Sequence, residues 1–125
     1  MSAKPDDLAE QLETHEGRTW RRACRVQDVL EDEGLRLGTL PPVAVFTSEG
    51  EYFCLDDSCT HASYPLTDGW AGDGVVECSL HLARFDLRTG APSGPPATAP
   101  VAVHPATAIG DDVYVALPDT YLTKE

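Results

Sequence analysis

Two short Cys/His pairs constrain this chain more than anything else in it. They are Cys59-x-His61 and Cys78-x-x-His81, with sixteen residues between His61 and Cys78. The chain holds only four cysteines and four histidines, and half of each lie in the one stretch CTHASYPLTDGWAGDGVVECSLH. Two thiolates and two imidazoles suit zinc or an iron–sulfur centre. The order of ligand types bears on the choice. A zinc finger groups its cysteines and then its histidines, whereas here each segment brings one of each. Side chains two apart in an extended segment point to the same side, so Cys59 and His61 can grip from a single loop. Two such loops set side by side let the cysteines hold one metal ion and the histidines another.

The rest of the chain has to bring those loops together. At 125 residues it has the size of one domain with one real core. Ten Gly and ten Pro favour a strand-rich, loop-rich body over a helical bundle. Residues 1–18 read as an extension, one or two helical turns around Leu8 and Leu12 or no structure at all. From Thr19 the pattern turns to short strands: TWRRAC, LRLG, VVEC and ARFDLRTG. VAVFTSEGEYFCL reads as a hairpin of Val43–Thr47 and Glu51–Leu55 about a Ser-Glu-Gly turn. VAVHPATAIGDDVYVAL reads as a second, with Gly110-Asp111 at its turn. A Pro-rich segment, APSGPPATAP, precedes it. The expected fold class is all-β, a small antiparallel sandwich or open barrel.

Twenty-one acidic against nine basic residues give a net charge of −12. That argues against nucleic acid, whose phosphates call for Lys and Arg, and against an anionic membrane surface. It suits solubility, and equally a basic protein partner met by electrostatic steering. No apolar run approaches the ~20 residues of a membrane span. The first residues lack the apolar core of a signal peptide. A cytoplasmic location is expected, where cysteines serve as thiols or ligands more than as disulfides. Cys24 and Cys54, in predicted strands, read as small buried core residues. His15 lies in the extension, and His104 is expected to pack rather than ligate.

CTH and CSLH, followed by FDLRTG and a Pro-rich loop, with PLTDG between the pairs and GDDVYV near the end, resemble the Rieske family. The likeness is to its small soluble ferredoxins, which serve aromatic-ring dioxygenases and related oxygenases. It runs from Thr19 to Pro118, so residues 19–118 are expected to form the Rieske domain and 119–125 a C-terminal tail. The resemblance implies the Rieske fold, with a two-loop cluster-binding subdomain. It implies one 2Fe–2S cluster held by Cys59, His61, Cys78 and His81, in which His₂ replaces Cys₂ on one iron. It also implies that the loop of Pro92–Pro100 covers the cluster from the side.

Charge counting shows why the histidines matter. Four thiolates around an oxidised Fe₂S₂ core of formal charge +2 leave −2, whereas two thiolates and two neutral imidazoles leave zero. An electron enters the neutral site more readily, which is why these centres lie at about −150 to +300 mV against about −400 mV for all-Cys ferredoxins. High-potential members resemble C-x-x-H-G-S-x-Y at the second loop, with hydroxyl donors toward sulfur and an extra bridging Cys in each loop. In this chain Ala83 and Phe85 stand at the hydroxyl positions, and Tyr64 and Leu80 where the bridge would fall. All four changes imply the low end of the range. Ala62, Leu82 and Ser79 also depart from the Gly, Gly and Pro common in the family. Leu82 is the departure with no assigned role, either a rim residue beside His81 or an inward packing one.

The sequence offers no mononuclear iron triad and no G-x-G-x-x-G fingerprint. The resemblance therefore implies a monomeric one-electron carrier, not an enzyme. It would link a flavin-dependent ferredoxin reductase to a terminal oxygenase through a brief complex, with electrons leaving by His61 or His81. Two other readings stay open: a Rieske-type small subunit of an assimilatory nitrite reductase, and a zinc-binding interaction module.

Overall fold

The structure, a computed structural model, describes residues 16–59, 65–78, 83–93 and 99–123. Among them lie twelve short strands in four sheets and two single turns of 3-10 helix, Val26–Asp28 and Leu66–Asp68. Every strand pairing is antiparallel.

The centre of the molecule is a four-stranded sheet. Its strands are β2 (Leu35–Leu37), β4 (Val43–Ser48), β5 (Glu51–Asp56) and β9 (Val103–His104), in the order β2-β4-β5-β9. A second sheet is made of β1 (Arg18–Arg25), β11 (Asp112–Pro118) and β10 (Ala106–Ile109). A third joins β6 (Trp70–Gly72), β7 (Val75–Glu77) and β8 (Arg84–Asp86). β3 (Thr39–Leu40) pairs with β12 (Leu122–Thr123) in a two-stranded clasp. The segment expected as a tail thus pairs with the body of the domain.

The β4–β5 hairpin is covered on both faces, which is why VAVF is a continuous apolar run and not an alternating one. Side chains in a strand point alternately to opposite faces. Val43, Val45 and Cys54 therefore pack with Cys24, Val113, Val115 and Leu117 of the β1-β11-β10 sheet. Ala44, Phe46, Phe53 and Leu55 pack on the opposite side with Val76 and Phe85 of the third sheet. The result is a layered antiparallel sandwich whose sheets do not close into a barrel, with the third sheet laid on one face of the central one.

Two turns set the registers. Glu49 (φ 52°) and Gly50 (φ 81°) join β4 to β5 with Ser48 opposite Glu51. Both central residues have positive φ, as the two-residue type I′ hairpin turn demands. Asp73 (φ 53°) and Gly74 (φ 78°) do the same between β6 and β7. No strand is expected at 70–72 from the apolar pattern, although Asp-Gly is the strongest short hairpin signal. The final hairpin turns at Gly110-Asp111 as expected, with Ile109 opposite Asp112. Its first limb is shorter than expected, however. Pro105 has no N–H to donate, and the chain changes sheets there: His104 pairs with Cys54 of β5, Ala106 with Val115 of β11.

A buried polar group ties these layers at their edge. His104, 3% exposed, has Nε2 at 2.8 Å from Asp56 Oδ1 and Nδ1 at 2.8 Å from the Arg18 guanidinium. Arg18 can only donate, so Nδ1 accepts and the proton sits on Nε2, facing Asp56. The Tyr121 hydroxyl donates to the same carboxylate oxygen at 2.8 Å. The expectation that His104 packs holds, with hydrogen bonds at both ring nitrogens.

Candidate metal centre

Cys59 and Cys78 are 2% and 0% exposed, neither is in a disulfide, and both belong to one apolar cluster with Leu66, Val76, Ala83, Phe85 and Leu87. Two segments more than fifteen residues apart thus bring their cysteines into the same buried neighbourhood. His61 and His81 lie outside the described residues, as do Ala62, Tyr64, Ser79, Leu80 and Leu82. Among the described residues no three His, Cys, Asp or Glu side chains converge as a metal site. Of the four expected ligands the structure therefore positions the two thiols.

Each loop that carries an expected Cys/His pair is tied at its base. The first leaves β5 at Asp56. Asp57 follows, buried, and its Oδ1 accepts the Thr67 N–H at 2.8 Å while its Oδ2 accepts the Thr67 hydroxyl at 2.8 Å. These bonds close the loop from Asp57 across Cys59 to the 3-10 turn, whose Leu66 is fully buried. The Asp57 N–H is itself bonded to the Pro42 carbonyl at 3.0 Å, fastening the loop to the central sheet. The second loop is the tip of the β7–β8 hairpin, where the Cys78 N–H donates to the Ala83 carbonyl at 2.7 Å. Below it Glu77 and Arg84 pair across the strands at 2.9 Å, an exposed ion pair of small energetic weight.

The FDLRTG segment sets the floor. Phe85 and Leu87 are fully buried in the same cluster as the two cysteines. Between them Asp86 turns outward, and its Oδ1 accepts the N–H groups of Arg88 at 2.7 Å and Thr89 at 3.1 Å, folding the turn. Gly90, φ 76°, ends it, where a Cβ would run into the Val101 carbonyl oxygen. The Pro-rich segment is anchored at both ends beside this floor. Pro92 bridges to Phe85, and the Val101 N–H donates to the Gly90 carbonyl at 2.9 Å. Residues 94–98, on which the expected cover falls, lie outside the described residues.

The other two cysteines are elsewhere. Cys24 and Cys54 lie in the opposite core layer, away from Cys59 and Cys78. Burial is the main cause that pushes the Cys24 thiol up to about 11, with Asp28 adding to it. It pushes the Cys54 thiol higher still, with Asp56 adding to it. Both are inert protonated thiols packing as small apolar groups.

Asp57 and Thr67 are not singled out by the sequence. PLTDG marks the neighbourhood of Thr67, but its partner lies ten residues earlier, in an Asp-Asp pair that reads as surface charge.

Residues 19–105 match the family model of the Rieske [2Fe-2S] domain, and the chain belongs to that family. Its members hold a Rieske 2Fe–2S cluster, and the donor set fits one: two buried cysteines, neither in a disulfide, share one apolar cluster, with a histidine two or three residues beyond each in the sequence. The chain is 40% identical over 98 residues to the 3-phenylpropionate/cinnamic acid dioxygenase ferredoxin subunit of Escherichia coli (strain K12), covering 78% of this chain and 92% of that protein. The ferredoxin of Sphingomonas yanoikuyae B1 superposes with a TM-score of 0.73 at 32% identity, over 80% of this chain and 100% of that one. A chain in the complex of reduced oxygenase and oxidised ferredoxin in carbazole 1,9a-dioxygenase superposes with a TM-score of 0.72 at 29% identity, over 78% and 92% of the two chains. The chain is thus a Rieske ferredoxin, an electron carrier and not itself a catalyst.

Proposed function

We propose that Cys59, His61, Cys78 and His81 hold the 2Fe–2S cluster of a low-potential ferredoxin that delivers electrons one at a time to the terminal oxygenase of an aromatic-ring dioxygenase or related system. The observation that carries this is the pair of buried cysteines, neither in a disulfide, each at the base of a closed loop and both in the apolar cluster that contains Phe85. The cluster, when bound, supplies a site for one electron. The protein supplies the rest. Two hydrogen-bonded loop bases fix the thiols, and an apolar floor keeps water from their buried side.

In this reading His61 and His81 face outward and form the route to the partner, while a flavin-dependent reductase fills the carrier. The contact is brief and the carrier monomeric, since a shuttle must leave one partner for the next. A cytoplasmic location goes with it, because iron-binding thiols must stay reduced.

The test is electron paramagnetic resonance of the dithionite-reduced protein with metal analysis. The expected result is about two iron and two sulfide per chain and the spectrum of a mixed Cys/His-ligated cluster, lost in C59S and C78S. One zinc per chain, or an all-Cys spectrum, overturns the assignment.

A further inference from the structure

Asp57 is an acidic side chain with no exposed surface, two residues before a cluster-binding cysteine. A buried carboxylate is costly unless its oxygens are satisfied. Here Oδ1 accepts the Thr67 N–H, and Oδ2 accepts the Thr67 hydroxyl and faces the Arg36 guanidinium at 3.5 Å. Both oxygens act as acceptors, the role of an ionised carboxylate. Arg36 is half exposed, so water screens part of its charge and it offsets the buried Asp57 charge only in part.

We infer that Asp57 is a positioning residue that also acts electrostatically. Held by Thr67 at the base of the first ligand loop, its fixed negative charge lowers the reduction potential of the cluster. The inference rests on the cluster assignment above. In a cluster held in part by Cys59, an added electron would meet a like charge that bulk water cannot reach. The oxidised form is favoured and the carrier becomes a stronger donor. This works in addition to the missing hydroxyls at Ala83 and Phe85, from the opposite loop.

Asp57→Asn separates charge from architecture. The amide oxygen still accepts the Thr67 N–H, and the amide nitrogen can donate to the Thr67 hydroxyl, so the loop stays tied while the charge is gone. The expected result, by protein-film voltammetry at neutral pH, is a midpoint more positive than wild type at unchanged iron and sulfide content. An unchanged or more negative midpoint overturns the inference. If D57N does not retain iron, Arg36→Gln decides, since it removes the counter-charge and leaves both Thr67 bonds. A midpoint lowered by more than in Arg84→Gln, which removes a charge from the exposed pair with Glu77, then supports the role of Asp57, and an equal or smaller fall overturns it. Absence of iron from the wild-type protein would count against the cluster assignment and not against Asp57.

Discussion

Phe85 is fully buried in the cluster of side chains that contains Cys59, Cys78 and Ala83. A tyrosine hydroxyl there would sit among apolar groups and sulfur, with little else to bond. Family members of high potential have a hydroxyl at this place, and its absence here argues for a midpoint below about 0 mV at neutral pH, within the span of about −150 to +300 mV. Voltammetry giving more than about +150 mV would contradict this. Phe85→Tyr is expected to raise the midpoint by a measurable part of that roughly 450 mV span. It should also destabilise the fold by about 1–3 kcal/mol, because one more atom enters a filled core. An F85Y protein with an unshifted midpoint would mean that no sulfur lies within reach of the new hydroxyl. At this scale the sequence is informative where chemistry depends on residue type and spacing. The four proposed ligands and the two missing hydroxyls can be read from it. The Asp57–Thr67 staple cannot, since a side chain's partner ten residues away is chosen by the fold.

The turn after β8 shows the same division among elements. Asp86 gathers the N–H groups of Arg88 and Thr89, and Gly90 closes the turn at a positive φ against the Val101 carbonyl. Gly90→Ala meets both a strained backbone angle and a backbone atom that cannot move aside. A loss of at least about 2 kcal/mol is expected, read as a lower denaturant midpoint at unchanged slope. A loss below about 0.5 kcal/mol would show that the Val101 segment can retreat. Because this turn follows directly on Phe85 of β8 and anchors the Pro-rich segment, the variant should also lose iron faster on heating. The two long hairpins are legible because their limbs are apolar and their turns hold Gly. The strands that escape the sequence are two or three residues long: β3, β6, β9 and β12 carry too few side chains for a period to show. β9 also falls on the wrong limb in a sequence reading, because nothing local says that the chain changes sheets at Pro105.

Over the whole molecule, charge decides two behaviours. The first is the alkaline limit of stability. In the unfolded chain a cysteine loses its proton near the usual 9.0, whereas burial and Asp28 hold the folded Cys24 thiol up to about 11. Between those values the unfolded state binds fewer protons, so stability falls as pH rises. Cys54 acts in the same direction, raised chiefly by burial. So does Tyr121, raised by burial and by its bond to Asp56. Urea midpoints should drop from pH 8 to pH 10.5, and C24A should flatten that slope by an amount on the order of 2 kcal/mol. A slope equal to wild type in C24A would disprove the assignment. The second behaviour is docking. A net charge of −12 on 125 residues produces a long-range field that accelerates approach to a basic surface and fails when salt screens it. At 0.1 M salt the screening length is about 10 Å, and at 1 M about 3 Å. The rate of electron transfer to the cognate oxygenase should therefore fall with ionic strength, by roughly tenfold or more over that range, with little change in the turnover of an already formed complex. Charge steers the encounter and leaves the distance between redox centres alone, so the loss belongs in the second-order rate constant. Stopped-flow measurements at increasing NaCl separate the two. A second-order rate constant independent of salt would mean that the acidic surface serves solubility alone, and that the partner is recognised by the tip of the two ligand loops without help from the rest of the molecule.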